Sequence, residues 1–189
     1  MRCNCLAMHL KSVLPQNIEI EEAFYKMSSS IRVIQYGLGP IGGAMARHIV
    51  ERAGLDLVAG VDIDPSKVGK DVGEVIGLRR SLGFTVVEGL SDALALVEAD
   101  AVLHTTSSHF DAFKPQILEI LQAGLDVVST SEELSFPWLA HAEQAAEVDA
   151  AAKRAGKTVL GTGVNPGFVM DSLPLNLTAI CQRVDRIDV

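Results

Sequence analysis

The sequence predicts an α/β fold: a doubly wound parallel sheet, followed by the start of a second, truncated domain. Three observations carry this. Short apolar segments alternate with helical ones from Ile31 onward, a glycine-rich turn joins the first strand to the first helix, and an acid closes the second strand. Strands separated by helices form βαβ units, and their right-handed crossovers place helices on both faces of a parallel sheet. With 189 residues, 48% of them hydrophobic and 21% charged, the chain can bury a core of this kind.

The elements follow in order. Ile31–Tyr36 is short, apolar and β-rich, as a buried parallel strand should be. Residues 37–43 form a glycine turn. A helix is expected over 44–53, with Ala44, Ile49 and Val50 facing the core, and a second buried strand over 57–61, ending at Asp62. Residues 65–78 are glycine-interrupted and partly helical. The third strand is 84–87, and Ser91 caps a short helix through Glu98 with Asp92 in its first turn. A fourth strand spans 101–105. A helix then runs over 111–122, with Pro115 in its first turns and Gly124 just past its end. The fifth strand is 125–129, an Ala-rich helix covers 138–155 and stops at Gly156, and the sixth strand is 158–160. Residues 167–182 read as helical, bent or restarted at Pro174. In 183–189, Val184, Ile187 and Val189 alternate with Arg183, Asp185 and Asp188, which reads as the first strand of another, half-exposed sheet. Phe136 and Trp138 are expected to pack a loop against the Ala-rich helix, and Cys181 to be a small core residue.

Residues 1–30 show no steady period and end in the polar break Met27-Ser28-Ser29-Ser30. Met27 would serve as a start codon. The segment is therefore an N-terminal extension, disordered by expectation, or a start-site artefact, and an intact mass separates the two.

The net charge is −8, a surface that repels phosphate backbones and argues against a nucleic-acid partner. The three cysteines, Cys3, Cys5 and Cys181, have no metal-binding spacing and make no even disulfide set, which fits a reducing, cytoplasmic setting without a metal. The apolar runs are far too short to span a bilayer.

The main motif is Gly37-Leu38-Gly39-Pro40-Ile41-Gly42, with Asp62 standing 20 residues beyond Gly42. G-x-G-x-x-G alone is weak. Between a buried strand and a helix, with an acid at that distance, it matches the Rossmann-type dinucleotide-binding fingerprint. Gly37 permits the tight turn, Gly39 lets a pyrophosphate approach the backbone, and Gly42 lets the helix pack on the strand. Pro40 occupies an early helical position where its missing N–H costs nothing, and Ile41 follows it among the amides that face the phosphates. Asp62 would meet the adenosine ribose and favours NAD over NADP, because a carboxylate repels a 2′-phosphate. Lys67 is near enough to allow use of both. The alternatives are a glycine turn without ligand, an S-adenosylmethionine site, and a helix-capping role for Asp62, for which Asp64 is the better candidate.

Ligands of an open parallel sheet sit beyond the carboxyl ends of its strands. After strand four, Thr105, Thr106 and Ser107 are cofactor-contact candidates, or hydroxyls that cap the following helix. His104 lies in the strand and reads as a satisfied core histidine. After strand five, Glu132 and Glu133 form a carboxylate pair that would bind an ammonium group or orient a water, or else are surface acids. After strand six, Asn165-Pro166-Gly167 is a turn that would aim Asn165 at the nicotinamide, or is purely structural. Glu132, Glu133 and Asn165 are the catalytic candidates. On this reading 31–168 is a dinucleotide-binding domain, and 169–189 is a linking helix and the first strand of a missing C-terminal substrate domain.

Three segments, Ile31 through Gly42, Ser129-Thr130-Ser131-Glu132-Glu133-Leu134-Ser135-Phe136-Pro137 and Gly161-Thr162-Gly163-Val164-Asn165-Pro166-Gly167-Phe168, resemble 2,4-diaminopentanoate dehydrogenases. More broadly, 31–189 is similar to the N-terminal domain of dihydrodipicolinate reductases. The resemblance implies a two-domain enzyme with NAD or NADP on its N-terminal domain. It implies hydride transfer at an amine- or imine-bearing carbon of an amino-acid-like small molecule, and oligomers built through the C-terminal domain. The reductases' His/Lys catalytic motif has no counterpart in this chain.

Overall fold

The computed structural model of the chain describes residues 30–188. Nearly all of the expected N-terminal extension, and Val189, lie outside the described residues. The elements are β1 (Ile31–Tyr36), α1 (Pro40–Glu51), β2 (Leu55–Val61), α2 (Val72–Val75), β3 (Val86–Val87), α3 (Leu90–Leu94), β4 (Ala101–His104), α4 (Phe110–Gln122), β5 (Asp126–Ser129), α5 (Ala142–Ala155), β6 (Val159–Gly161) and α6 (Leu173–Thr178). One parallel sheet has the order β3-β2-β1-β4-β5-β6. The winding reverses between β1 and β4, so the loops that leave these two strands diverge and open a crevice at the carboxyl edge.

Two apolar cores fill the two faces. Ile34, Tyr36, Val61, Val102 and Val127 pack under α3, α4 and α5, whereas Leu38, Ala46, Val72, Ile76 and Val86 form a smaller core with α1 and α2. α4 supplies Phe110, Phe113, Ile117, Ile120 and Leu121, which recur on one side of a 3.6-residue helix. Pro115 stands inside α4 and removes one of its backbone donors. At the opposite edge of the sheet the Arg32 guanidinium grips both oxygens of Asp100, at 3.1 and 2.8 Å, and holds that carboxyl at about 2.

Several element boundaries differ from the sequence reading, each for a local reason. α1 begins at Pro40, because proline's fixed φ suits a first helical turn. β3 is only two residues long: Thr85 bridges to Asp71 and the Phe84 carbonyl takes the Val72 N–H, which removes both from the strand. Ser91 lies inside α3, and Gly89 occupies the capping position without a side-chain bond. α5 starts at Ala142, because 138–141 is a turn closed by the His141 N–H on the Pro137 carbonyl. Phe136 and Trp138 consequently stand 71% and 48% exposed and do not pack a loop down. Pro174 restarts a helix after a wide turn at Phe168–Ser172. Cys181 is exposed, not a core residue. Residues 183–188 form no strand. Arg183 pairs with Asp185 and Arg186 with Asp188 along the chain, and no neighbouring strand among the described residues offers them a ladder.

The carboxyl ends of β4 and β5 are tied by a buried polar chain. Ser131 Oγ donates to the Ser107 carbonyl, so it must accept from Ser129 Oγ at 2.9 Å. Ser129 Oγ in turn lies within hydrogen-bond distance of His104 Nδ1, also at 2.9 Å. Nε2 is closed off by Thr106 Oγ1 and by Gln116 Oε1 at 2.9 and 2.8 Å, and the ring lies edge-on to Tyr36 and Phe113. Burial pushes the His104 pKa down, against the smaller opposing pull of Gln116.

Two outcomes follow. Phe113→Ala removes a fully buried ring and should cost about 3–5 kcal/mol, against about 0.5–1.5 kcal/mol for Ile117→Val, in urea unfolding with unchanged slope. An imidazole with a folded pKa below its unfolded value of about 6.5 binds protons more readily when unfolded. Its contribution is complete above that value and declines as pH falls through it. Unfolding midpoints at about pH 7.5 and 5.5 should show this decline, and His104→Gln should flatten it. An equal slope in the variant would refute the assignment.

Candidate cofactor site

The three glycines of the turn differ in what surrounds them. Gly37 leaves β1 with φ +93°, and a Cβ there would lie 2.6 Å from the Thr105 carbonyl oxygen. A Cβ on Gly42 would overlap the Gly37 carbonyl, because α1 passes directly over the strand end. At Gly39 an added Cβ would meet nothing within 4 Å. Gly37 and Gly42 therefore close the turn against the protein, while Gly39 presents bare backbone to open space.

That backbone carries unused donors. The Gly37 N–H goes to the Val61 carbonyl, the Leu38 N–H to Asp62, and the Gly43 N–H to the Gly39 carbonyl. Pro40 has no N–H. The amides of Gly39, Ile41 and Gly42 have no partner among the described residues, and they lie at the positive end of a 12-residue helix with no acid in its first turn. This set fits the diphosphate of a dinucleotide: convergent N–H groups, no obstructing side chain, and a dipole that favours negative charge.

The turn is held from beneath. Thr105 Oγ1 and Gln35 Nε2 both donate to the Gly37 carbonyl at 2.9 Å, and Gln35 also donates to Thr105 Oγ1 at 2.8 Å. Thr105 was a candidate for cofactor contact; its hydroxyl braces the loop on which a cofactor would rest. Thr106 is exposed and bonds Gln116 and His104, and Ser107 Oγ accepts the His109 N–H. Gln35 escaped the sequence reading. The signal was there, an amide side chain in an otherwise apolar strand, where a buried polar group needs a partner.

Asp62 follows directly on β2 and is 7% exposed. Its Oδ2 accepts from the Leu38 N–H and from Lys67 Nζ, both at 2.8 Å, and its Oδ1 accepts from the Asp64 N–H at 2.9 Å. Burial pushes its pKa up. The Lys67 ammonium and the two amides outweigh that and hold it below the usual carboxylate value. Asp62 therefore stands ionised against the glycine turn, with Lys67 as its counter-ion.

The remaining candidates lie on loops at the same edge. Glu133 Oε2 accepts the Phe110 N–H at 2.5 Å and so caps α4 from outside, with the rings of His109 and His141 at 3.5 and 3.3 Å. The α4 amide in particular, with His109, keeps its pKa low in spite of desolvation. Glu132 and Asn165 are exposed. Glu132 and Glu133 are thus separated in role, one bound to a helix end and one facing solvent. A cavity of about 300 Å³ lined by Phe110, Leu134, Trp138 and Lys157, among others, includes no residue of the glycine turn. No cluster of His, Cys, Asp or Glu among the described residues could hold a metal, and no helix among them is long and apolar enough to cross a membrane.

No protein-family profile matches the chain. It is 34% identical to the 2,4-diaminopentanoate dehydrogenase of Acetoanaerobium sticklandii over 158 residues, covering 83% of this chain and 44% of that enzyme. Among solved structures it superposes on the amine dehydrogenase of Mycobacterium smegmatis with a TM-score of 0.76 and 31% identity, over 85% of this chain and 47% of that one. The WlbA dehydrogenase of Bordetella pertussis, solved in complex with NADH and UDP-GlcNAcA, matches 71% of this chain and 36% of its own at 26% identity and a TM-score of 0.52. The chain thus spans less than half the length of each of these three relatives. On these matches, the described part of the chain is related to the corresponding parts of 2,4-diaminopentanoate dehydrogenase and amine dehydrogenase, and shares their α/β dinucleotide-type fold.

Proposed function

We propose that the chain is the cofactor-holding part of an NAD(P)-dependent oxidoreductase that moves hydride at the amine- or imine-bearing carbon of an amino-acid-derived substrate. One observation carries the reading: the open backbone at Gly39, with the unbonded amides of Gly39, Ile41 and Gly42, beside an ionised Asp62. The amides would hold the diphosphate and Asp62 the adenosine ribose, and the buried negative charge favours NAD. The bound nicotinamide would accept or deliver the hydride; the chain's own residues position it and shape the field around it.

The amine or imine class is supported by the names of the relatives. Within the chain, Glu132 and Asn165 stand free at the edge where a substrate would meet the nicotinamide, and either would suit an ammonium or imine group. Glu133 serves the loops that carry them, through its cap on α4. The exposed apolar side chains of Leu173, Leu175, Leu177 and Ile180 support a further part of the reading, in which α6 packs against a substrate-binding domain through which the enzyme oligomerises.

Gly39→Val should fold with the stability of the parent, because its side chain meets open space, and should lose dinucleotide binding, because that space is the diphosphate's. Calorimetric titration with NADH and NADPH checks this, and undiminished affinity would remove the central assignment. A screen of amino acids and cyclic imines, followed by the absorbance of reduced nicotinamide, should find turnover with an amine or imine substrate. Tight dinucleotide binding with no turnover on any of them would favour a binding module over an enzyme.

A further inference from the structure

The ribose end of the candidate site holds an arrangement that the glycine motif does not require. Asp62 is buried and fixed by two backbone amides, Leu38 N–H on one oxygen and Asp64 N–H on the other. Lys67 is different. It comes from the turn after Asp64, where its own N–H bonds the Asp64 carbonyl at 2.9 Å, and its ammonium reaches back to Asp62 Oδ2 at 2.8 Å. Its side chain is 24% exposed against 9% for Asp62, and Asp64 Oδ2 is a second, looser partner at 3.7 Å. The carboxylate is thus anchored, while its counter-ion is the end of a flexible four-carbon stem at the rim.

A carboxylate offers about four acceptor positions. Three on Asp62 are taken, so a ribose with free hydroxyls can add one bond at Oδ1, or a second if Lys67 swings off Oδ2. A 2′-phosphate meets another field. Asp62, Asp64 and Lys67 sum to one negative charge, and without Lys67 to two, against a group that itself carries nearly two. Repulsion by a buried carboxylate excludes such a group unless a cation at the same place can turn to it, and Lys67 is that cation.

We propose that Lys67 is a movable counter-ion that sets the cofactor preference: it stays on Asp62 over an adenosine ribose with free hydroxyls, and turns outward to a 2′-phosphate when one is present. This rests on the dinucleotide reading above and deepens it. The loop admits both cofactors because one ammonium serves two anions in turn.

The test is binding, not turnover. NADH and NADPH are titrated calorimetrically into the full chain and its Lys67→Met and Lys67→Arg variants, with apo melting temperatures as a check on folding. The parent should bind both. Lys67→Met should leave NADH affinity within about threefold and weaken NADPH by about tenfold or more, and Lys67→Arg should restore NADPH binding. NADPH affinity should also fall with salt more steeply in the parent than in Lys67→Met. Equal loss for both dinucleotides, an unchanged ratio, or a parent that binds NADH and rejects NADPH would overturn the role of Lys67 and leave the cofactor site standing. A parent that binds neither dinucleotide overturns the site itself, and this proposal with it.

Discussion

The Gly37 carbonyl is the point on which the candidate site depends. It accepts two hydrogen bonds from below, from Thr105 on the fourth strand's loop and Gln35 on the first strand. Those bonds turn the peptide so that the next free amides, Gly39, Ile41 and Gly42, look outward. A carbonyl facing the other way would place negative charge beside those amides and make the turn a poor seat for an anion. The same constraint excludes side chains at Gly37 and Gly42, since the loop, the strand end and α1 approach within contact distance there.

Beneath the mouth, the carboxyl ends of the strands are joined by polar groups that face inward. The amides of Gly37, Asp62, Thr105, Thr130 and Thr162 each bond the carbonyl that ends the neighbouring strand, so the ladder continues one step into every loop. His104, Ser129 and Ser131 add a buried side-chain chain from β4 to the loop carbonyl of Ser107. Buried groups of this kind are costly unless each is satisfied, and when satisfied they allow few alternative arrangements. The edge is therefore rigid where it carries the turn, and its freedom lies in Lys67, Glu132 and Asn165 at the rim.

Much of this was legible in the sequence. All six strands and their order of helices show as apolar runs punctuated by glycines, because a parallel sheet buried on both faces needs uninterrupted apolar segments. The glycine turn and Asp62 were legible because their spacing reflects a local geometry of strand, turn, helix and strand. Other readings failed where a distant residue intervened. β3 lost Thr85 to Asp71, and the expected strand over 183–189 found no neighbour among the described residues. For Thr105 and Glu133 the structure adds partners that the sequence did not show: the Thr105 hydroxyl bonds the Gly37 carbonyl, and Glu133 caps a helix 23 residues earlier in the chain.

By itself the sequence determined the α/β class, the position of the glycine turn and the acid beyond it. Each of these rests on periodicity and on backbone freedom, which act over a few neighbouring residues. Only the tertiary structure decided which hydroxyls and carboxylates face solvent and which face the protein. That choice depends on pairings such as Gln35 with Thr105, Asp62 with Lys67 and Glu133 with Phe110. A polar side chain takes whichever partner the fold brings within about 3 Å, and no local pattern encodes that distance.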